Sequence, residues 1–296
     1  MTSFSPPAAV VKSPAMPVGP SLPWIPLGAG VAGVLGIYAP VVPAMVAEWA
    51  AFPNLSHGFA IPFIAAYLIW ARRERIAGEA LESSPFGLPL VVLGLAILAL
   101  GSLGGEPFLA RVSLPVMLLG TVLFLAGARV ARHVWAGIGF LLFMIPLPYL
   151  MLKSLTYQFQ LIDAGASARA LSWLGVPVFR EGVFLHLPGI TLEVASVCSS
   201  VPAIAALTAL GAAYGQMHPR PTWLRATLIV AAAPLGFLSN IVRITLTAVS
   251  VYYFGPVALD NVIHKFNGTT VFLMTVVLLV ALDAVMLRVA ARNLPR

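Results

Sequence analysis

The chain has 296 residues, of which 60% are hydrophobic and only 9% charged, against about 25% charged in an ordinary globular domain. A mean hydropathy of +0.96 excludes a soluble protein, so the net charge of +7 is read as basic residues flanking membrane spans and not as a nucleic-acid surface. The single cysteine, Cys198, excludes an internal disulfide and a thiolate metal cluster.

Residues 1–23 hold six prolines, one lysine and no helical periodicity, which predicts a disordered cytoplasmic tail and not a signal peptide. Residues 24–296 then read as one membrane domain. Its apolar runs predict eight helical spans: Trp24 to Ala47, His57 to Trp70, Phe86 to Gly101, Phe108 to Ala128, His133 to Leu152, Ser196 to Met217, Leu224 to Phe254 and Phe266 to Val289. Helices are expected because lipid offers the backbone no hydrogen-bonding partner. The predicted fold class is an all-α, polytopic integral membrane helix bundle.

Gly28, Gly30 and Gly33 match a dinucleotide-binding spacing. That fingerprint needs a strand turning into a helix, and glycines within a span predict close helix packing instead.

Between the fifth and sixth spans, Leu155, Phe159, Ile162, Ala166, Ala170 and Trp173 recur at helical spacing, with Gln160, Asp163, Ser167 and Arg169 elsewhere on the wheel. This predicts an interfacial amphipathic helix lying flat on the outer leaflet. After Gly175 and Pro177 the pattern alternates. Val183 to Leu187 and Ile190 to Val194 flank the turn dipeptide Pro188-Gly189, which predicts a small hairpin running into Cys198.

The basic residues orient the bundle. With the N-terminus inside, Lys12, Arg72, Arg73, Arg75, Arg129, Arg132, Arg220, Arg225, Arg288, Arg292 and Arg296 fall on the inner side; Arg111, Lys153, Arg169, Arg180 and Lys265 fall outside, and Arg243 lies within an apolar run. Eleven of the seventeen are then cytoplasmic, as expected for a cytoplasmic membrane protein with both termini inside.

Arg243 is costly in an apolar span and therefore a candidate functional residue. It lies eighteen residues from Arg225, or ~27 Å along a helix, which places it at the outer boundary. Asn240, Arg243 and Thr247 are spaced to share one helix face. Cys198 falls at the same boundary. With Ser196 as the N-cap of the sixth span, Cys198 sits in a first turn, where a helix N-terminus favours an anion. His264 lies in the outer loop Gly255 to Lys265 and is a candidate acid and base for a cysteine nucleophile. His57 and His186 are also external, and topology alone does not choose among the three.

Ser56-His57-Gly58 before a span closed by Arg72-Arg73, the run Phe140 to Pro148 (FLLFMIPLP), the approach Glu193 to Ser199 (EVASVCS), Asn240-Ile-Val-Arg243, and His264 followed by Gly268 together resemble the exosortase/archaeosortase family of membrane transpeptidases. The resemblance implies Cys198, Arg243 and His264 as catalytic residues, with Asn240, Ser196 and His57 supporting, and neither cofactor nor metal. Its implied substrates are exported proteins whose C-terminal tail carries a short Pro-Glu-Pro-type motif, a membrane helix and a basic cluster, processed at the outer face of the membrane. A separate accessory subunit is expected. Cys198 is followed by Ser199-Ser200 where the family commonly has Ser-Gly. Rival readings from other classes are a transporter, which needs a polar path to the inner face, and a non-protease acyltransferase.

Overall fold

A computed structural model describes residues 24–217, 220–259 and 261–293; the predicted tail at 1–23 lies outside them. The described chain is mostly helical. Its elements are α1 (Trp24–Ile37), α2 (Val41–Ala51), α3 (Ile61–Trp70), α4 (Arg73–Ala77), α5 (Gly87–Leu103), α6 (Pro107–Phe140), α7 (Tyr149–Trp173), β1 (Phe179–Glu181), β2 (Phe184–Leu187), β3 (Ile190–Glu193), α8 (Ser200–Met217), α9 (Thr222–Phe254) and α10 (Asn261–Asn293). Short 3₁₀ segments at Pro53–Phe59 and Ser196–Cys198 carry His57 and Cys198.

The eight expected spans are not reproduced. Among the described residues three helical stretches, Pro107–Met144, Thr222–Phe254 and Gly268–Ala290, are long and apolar enough to cross a membrane, or four if the bent pair α1 and α2 is one span. Local chemistry accounts for the differences. The first run bends by 64° between α1 and α2, next to Pro40, which has no N–H to continue the ladder. The second is shortened because its first residues form the 3₁₀ segment after Pro53, leaving ten residues for α3. The fourth and fifth runs divide close to where expected: α6 is two helical stretches joined across a kink at Gly127, whose backbone is not helical (φ 85°, ψ 177°). The fifth run does not continue to Leu152 as one helix, because the chain breaks again at Ile145–Pro148, between α6 and α7. Gly127 is required twice over, for its positive φ and because a Cβ there would collide with the Glu82 carbonyl oxygen.

Small residues set the helix packing. Gly87, Gly94 and Gly101, seven apart on α5, let its backbone lie against Phe124, Met117 and Ala110 of α6, the close approach expected where van der Waals contact drives helix association. The expectation for the first span holds only at Gly30, which abuts Leu125 and Thr121; Gly28 and Gly33 meet nothing within 4 Å. Arg111, read as an outer loop charge, is buried within α6 and donates from Nη1 to Glu48 Oε2 at 2.9 Å.

At the Arg225 end of α9, Arg220 Nη2 lies 2.7 Å from Asp283 Oδ2, with both side chains almost fully buried, and its guanidinium sits 4.5 Å over the Tyr214 ring. Nearby, Arg72 donates to the His133 carbonyl at 2.8 Å and to Gln216 Oε1 at 3.3 Å. These polar groups fasten helix ends to one another.

Helix α7 turns its polar side into the protein. Thr156, Gln160, Asp163 and Ser167 are buried, whereas Leu155, Ile162 and Trp173 from the apolar stripe are exposed, Trp173 by 87%. The apolar stripe lies on the outside as an interfacial helix requires, but the polar residues expected to face water find partners within the protein instead. The expected hairpin is present with its turn at Pro188-Gly189, and β1 adds a third antiparallel strand in the order β1-β2-β3. Leu185 and Leu187 of the sheet bury against Ile244 and Ala248 of α9 in a small core.

Candidate active site

The sheet delivers Cys198. Beyond β3, the Val194 N–H donates to the Val183 carbonyl at 3.0 Å, and Gln160 Nε2 of α7 donates to the Val194 carbonyl at 2.6 Å. The chain then makes the 3₁₀ turn Ser196–Cys198, in which the Cys198 N–H reaches the Ala195 carbonyl at 2.8 Å. Ser196 opens this turn and does not cap α8. Ser199 is extended (φ −74°, ψ 162°) and α8 starts at Ser200, so half-buried Cys198 precedes the helix by two residues instead of lying within its first turn.

Asp163, which the sequence reading treated as a surface residue, organises this junction. It is fully buried. Its Oδ2 accepts the Ser200 N–H at 2.8 Å and Asn240 Nδ2 at 3.1 Å, and its Oδ1 accepts the Ser200 hydroxyl. Asn240 Nδ2 also donates to the Cys198 carbonyl at 2.8 Å. One amide nitrogen therefore ties the carboxylate of α7 to the backbone of Cys198. Burial pushes the Asp163 carboxyl above the usual carboxylate range, while the bonds from Ser200 and Asn240 and the charge of Arg243 pull it back. The available signal was the spacing of Thr156, Gln160, Asp163 and Ser167, a polar stripe that needs partners wherever its helix is buried.

Asp163→Ala removes the acceptor for these donors, and each buried donor left unpaired costs about 1–3 kcal/mol. We expect a lower unfolding midpoint in detergent for this variant, with Asp163→Asn in between because it keeps one acceptor oxygen. An unchanged midpoint for Asp163→Ala would show that the carboxylate stabilises nothing.

Asn240, Arg243 and Thr247 share the inward face of α9 as their spacing predicts. Asn240 and Thr247 are buried and Arg243 is half-buried. Arg243 separates two cavities. One of about 80 Å³ is lined by Leu185, Leu192, Glu193, Val194, Cys198, Arg243, Ile244 and Thr247. The other, about 210 Å³, is bounded by Ser56, His57, Ser199, Asn240, Arg243 and Gly268 among others. Among the described residues, Arg243 Nη2, Ser199 Oγ and Thr247 Oγ1 are buried without a hydrogen-bond partner. Cys198 and Arg243 thus line one small cavity, with Glu193 and Thr247 also on its walls.

The three histidines separate. His186 is held in the sheet: its Nδ1 lies 2.9 Å from Thr191 Oγ1, its Nε2 lies 3.3 Å from Glu181, and its ring stacks on Phe179. It lines neither cavity. His57, half-buried on its 3₁₀ segment, lines the larger cleft together with Arg243. His264 lies in the first turn of α10 and not in a loop; its side chain lies outside the described residues. Four positions on, and so on the same helix face, a side chain at Gly268 would sit 3.6 Å from Arg243 Cδ. Among the described residues no three His, Cys, Asp or Glu side chains are grouped to hold a metal ion.

No curated protein and no solved structure matches the chain. A family model described as transmembrane exosortase matches residues 49–281. That stretch takes in the 3₁₀ segment of His57, the sheet, Cys198, α9 and most of α10, the same elements that enclose the two cavities. The match covers most of the chain, and it shows that this protein belongs to the transmembrane exosortase family.

Proposed function

We propose that the chain is a membrane cysteine transpeptidase that cuts the C-terminal tails of exported proteins at the outer face of the cytoplasmic membrane. One observation carries the reading: Cys198 and Arg243 line the same small cavity, and among the described residues Arg243 has a buried donor without a partner. Cys198 passes its thiol proton to His264 and its Sγ attacks the carbonyl carbon of a substrate peptide bond, while Arg243 donates to the oxyanion that develops on the carbonyl oxygen. The C–N bond breaks and the amine leaves with a proton from His264, producing a thioester. His264 then takes a proton from the second nucleophile, which resolves the thioester. His57 supports the larger cleft, and Asn240 holds the Cys198 carbonyl.

The favoured tail is a short Pro-Glu-Pro-type motif, a membrane helix and a basic cluster, because a basic end retained inside brings the motif to the outer boundary where Cys198 is read to lie. The test is co-expression with a reporter ending in such a tail. A shortened reporter on a gel is expected, and an intact one overturns the reading.

The orientation has its own test on a Cys198→Ala background. Glu181, whose side chain is 75% exposed, replaced by cysteine should react with an impermeant maleimide in intact cells. Arg129→Cys should react only after the membrane is opened. The opposite pattern would put the site on the wrong side for exported substrates.

A further inference from the structure

The sheet that leads to Cys198 has one edge with which no other strand pairs among the described residues. The two-residue turn at Pro188-Gly189 makes Leu187 and Ile190 a pair that exchanges hydrogen bonds, and the register continues with Leu185 opposite Leu192. The Val194 N–H, bonded back to Val183, keeps the alternation. The N–H and C=O groups of Thr191 and Glu193 therefore point away from β2, on the outer side of the last strand in the order β1-β2-β3. Both residues are exposed, and no backbone hydrogen bond reaches either from outside the sheet among the described residues. Free groups of this kind are a template for another extended chain.

The small cavity borders this strand. Its lining takes in Leu192 and Glu193 of β3, Val194 just beyond, Leu185 of β2, and Cys198 and Arg243. At about 80 Å³ it has room for a small apolar side chain.

From this geometry we infer that an extended peptide pairs with the free edge of β3 and drops one small apolar side chain into the cavity beside Cys198. Backbone bonds to Thr191 and Glu193 then align the chain, and the cavity selects the residue next to the reacting carbonyl, a division of labour common in strand-addition sites. The inference rests on the transpeptidase reading of Cys198.

It is tested on the full-length protein in lipid nanodiscs with acetylated tripeptide chloromethyl ketones ending in alanine, whose chloride Cys198 Sγ displaces, and with iodoacetamide as a reagent that needs no recognition. Pairing along a strand uses every second amide. Methylation of one of two adjacent peptide nitrogens should therefore slow alkylation about tenfold and methylation of the other should not, with alanine preferred to tryptophan beside the ketone. Equal rates for the parent and both methylated peptides, the result if lipid or a second copy of the chain covers this edge, overturn the pairing alone. Reaction with iodoacetamide but with none of the peptides, or with no reagent at all, overturns the peptide site and the pairing together.

Discussion

Cys198→Ala abolishes shortening of the tailed reporter while the protein accumulates in the membrane at its normal level. The two halves of this expectation have separate grounds. Cleavage stops because no other thiol exists in the chain and a methyl group cannot form a thioester. Folding continues because Cys198 is held through its backbone, by its N–H to Ala195 and its carbonyl to Asn240, and alanine keeps both bonds. The lost sulfur enlarges a cavity that is already open, so the penalty of creating a new void is small. A packing role for Cys198 makes the opposite forecast, an active alanine variant. Blotting for the reporter and for the protein in the same membranes separates the two, and a shortened reporter in the Cys198→Ala strain ends the cysteine-enzyme reading.

Arg243→Lys lowers the rate of reporter cleavage by about a hundredfold, the loss typical when one oxyanion donor is removed, again without loss of protein. The substitution keeps the positive charge and replaces a planar fork of five N–H donors with a compact ammonium on a flexible stem. In the wild-type chain one arm of that fork, Nη2, is buried and has no partner among the described residues, and the side chain borders both cavities. A lysine supplies charge without two donors in fixed directions. If only charge or anchoring matters, the lysine variant cleaves at a near-normal rate and only Arg243→Ala fails. Initial rates for the three proteins at matched expression distinguish these outcomes.

Sequence patterns exposed different parts of this protein unequally. The inward face of α9 was readable because Asn240, Arg243 and Thr247 are polar residues at helical spacing within an apolar run, where lipid leaves them only one direction to turn. The hairpin was readable from alternation on either side of Pro188-Gly189. Strand β1 was not, since three residues are too few to show a period. The spans departed from the hydropathy pattern at Ile145–Pro148, where the fifth run breaks, and at Tyr38–Pro40, where an apolar run continues through a bend; the kink at Gly127 falls close to the expected division. Asp163 was visible as a residue and invisible as a site component. Its role depends on which way α7 faces, and periodicity fixes a stripe but not its direction. His264 was reached through resemblance, and the backbone adds only its place one turn before Gly268.

The two-sided polarity of α7 makes it a partition. Greasy residues such as Ile162 and Trp173 stand on one side, and a row of amide, carboxylate and hydroxyl groups stands on the other, suspending Cys198 through Gln160 and Asp163. Whatever covers the greasy side is thus a silent structural component of the chemistry within. A disturbance there during purification travels only two hydrogen bonds from Asp163 before it reaches the junction that carries sulfur.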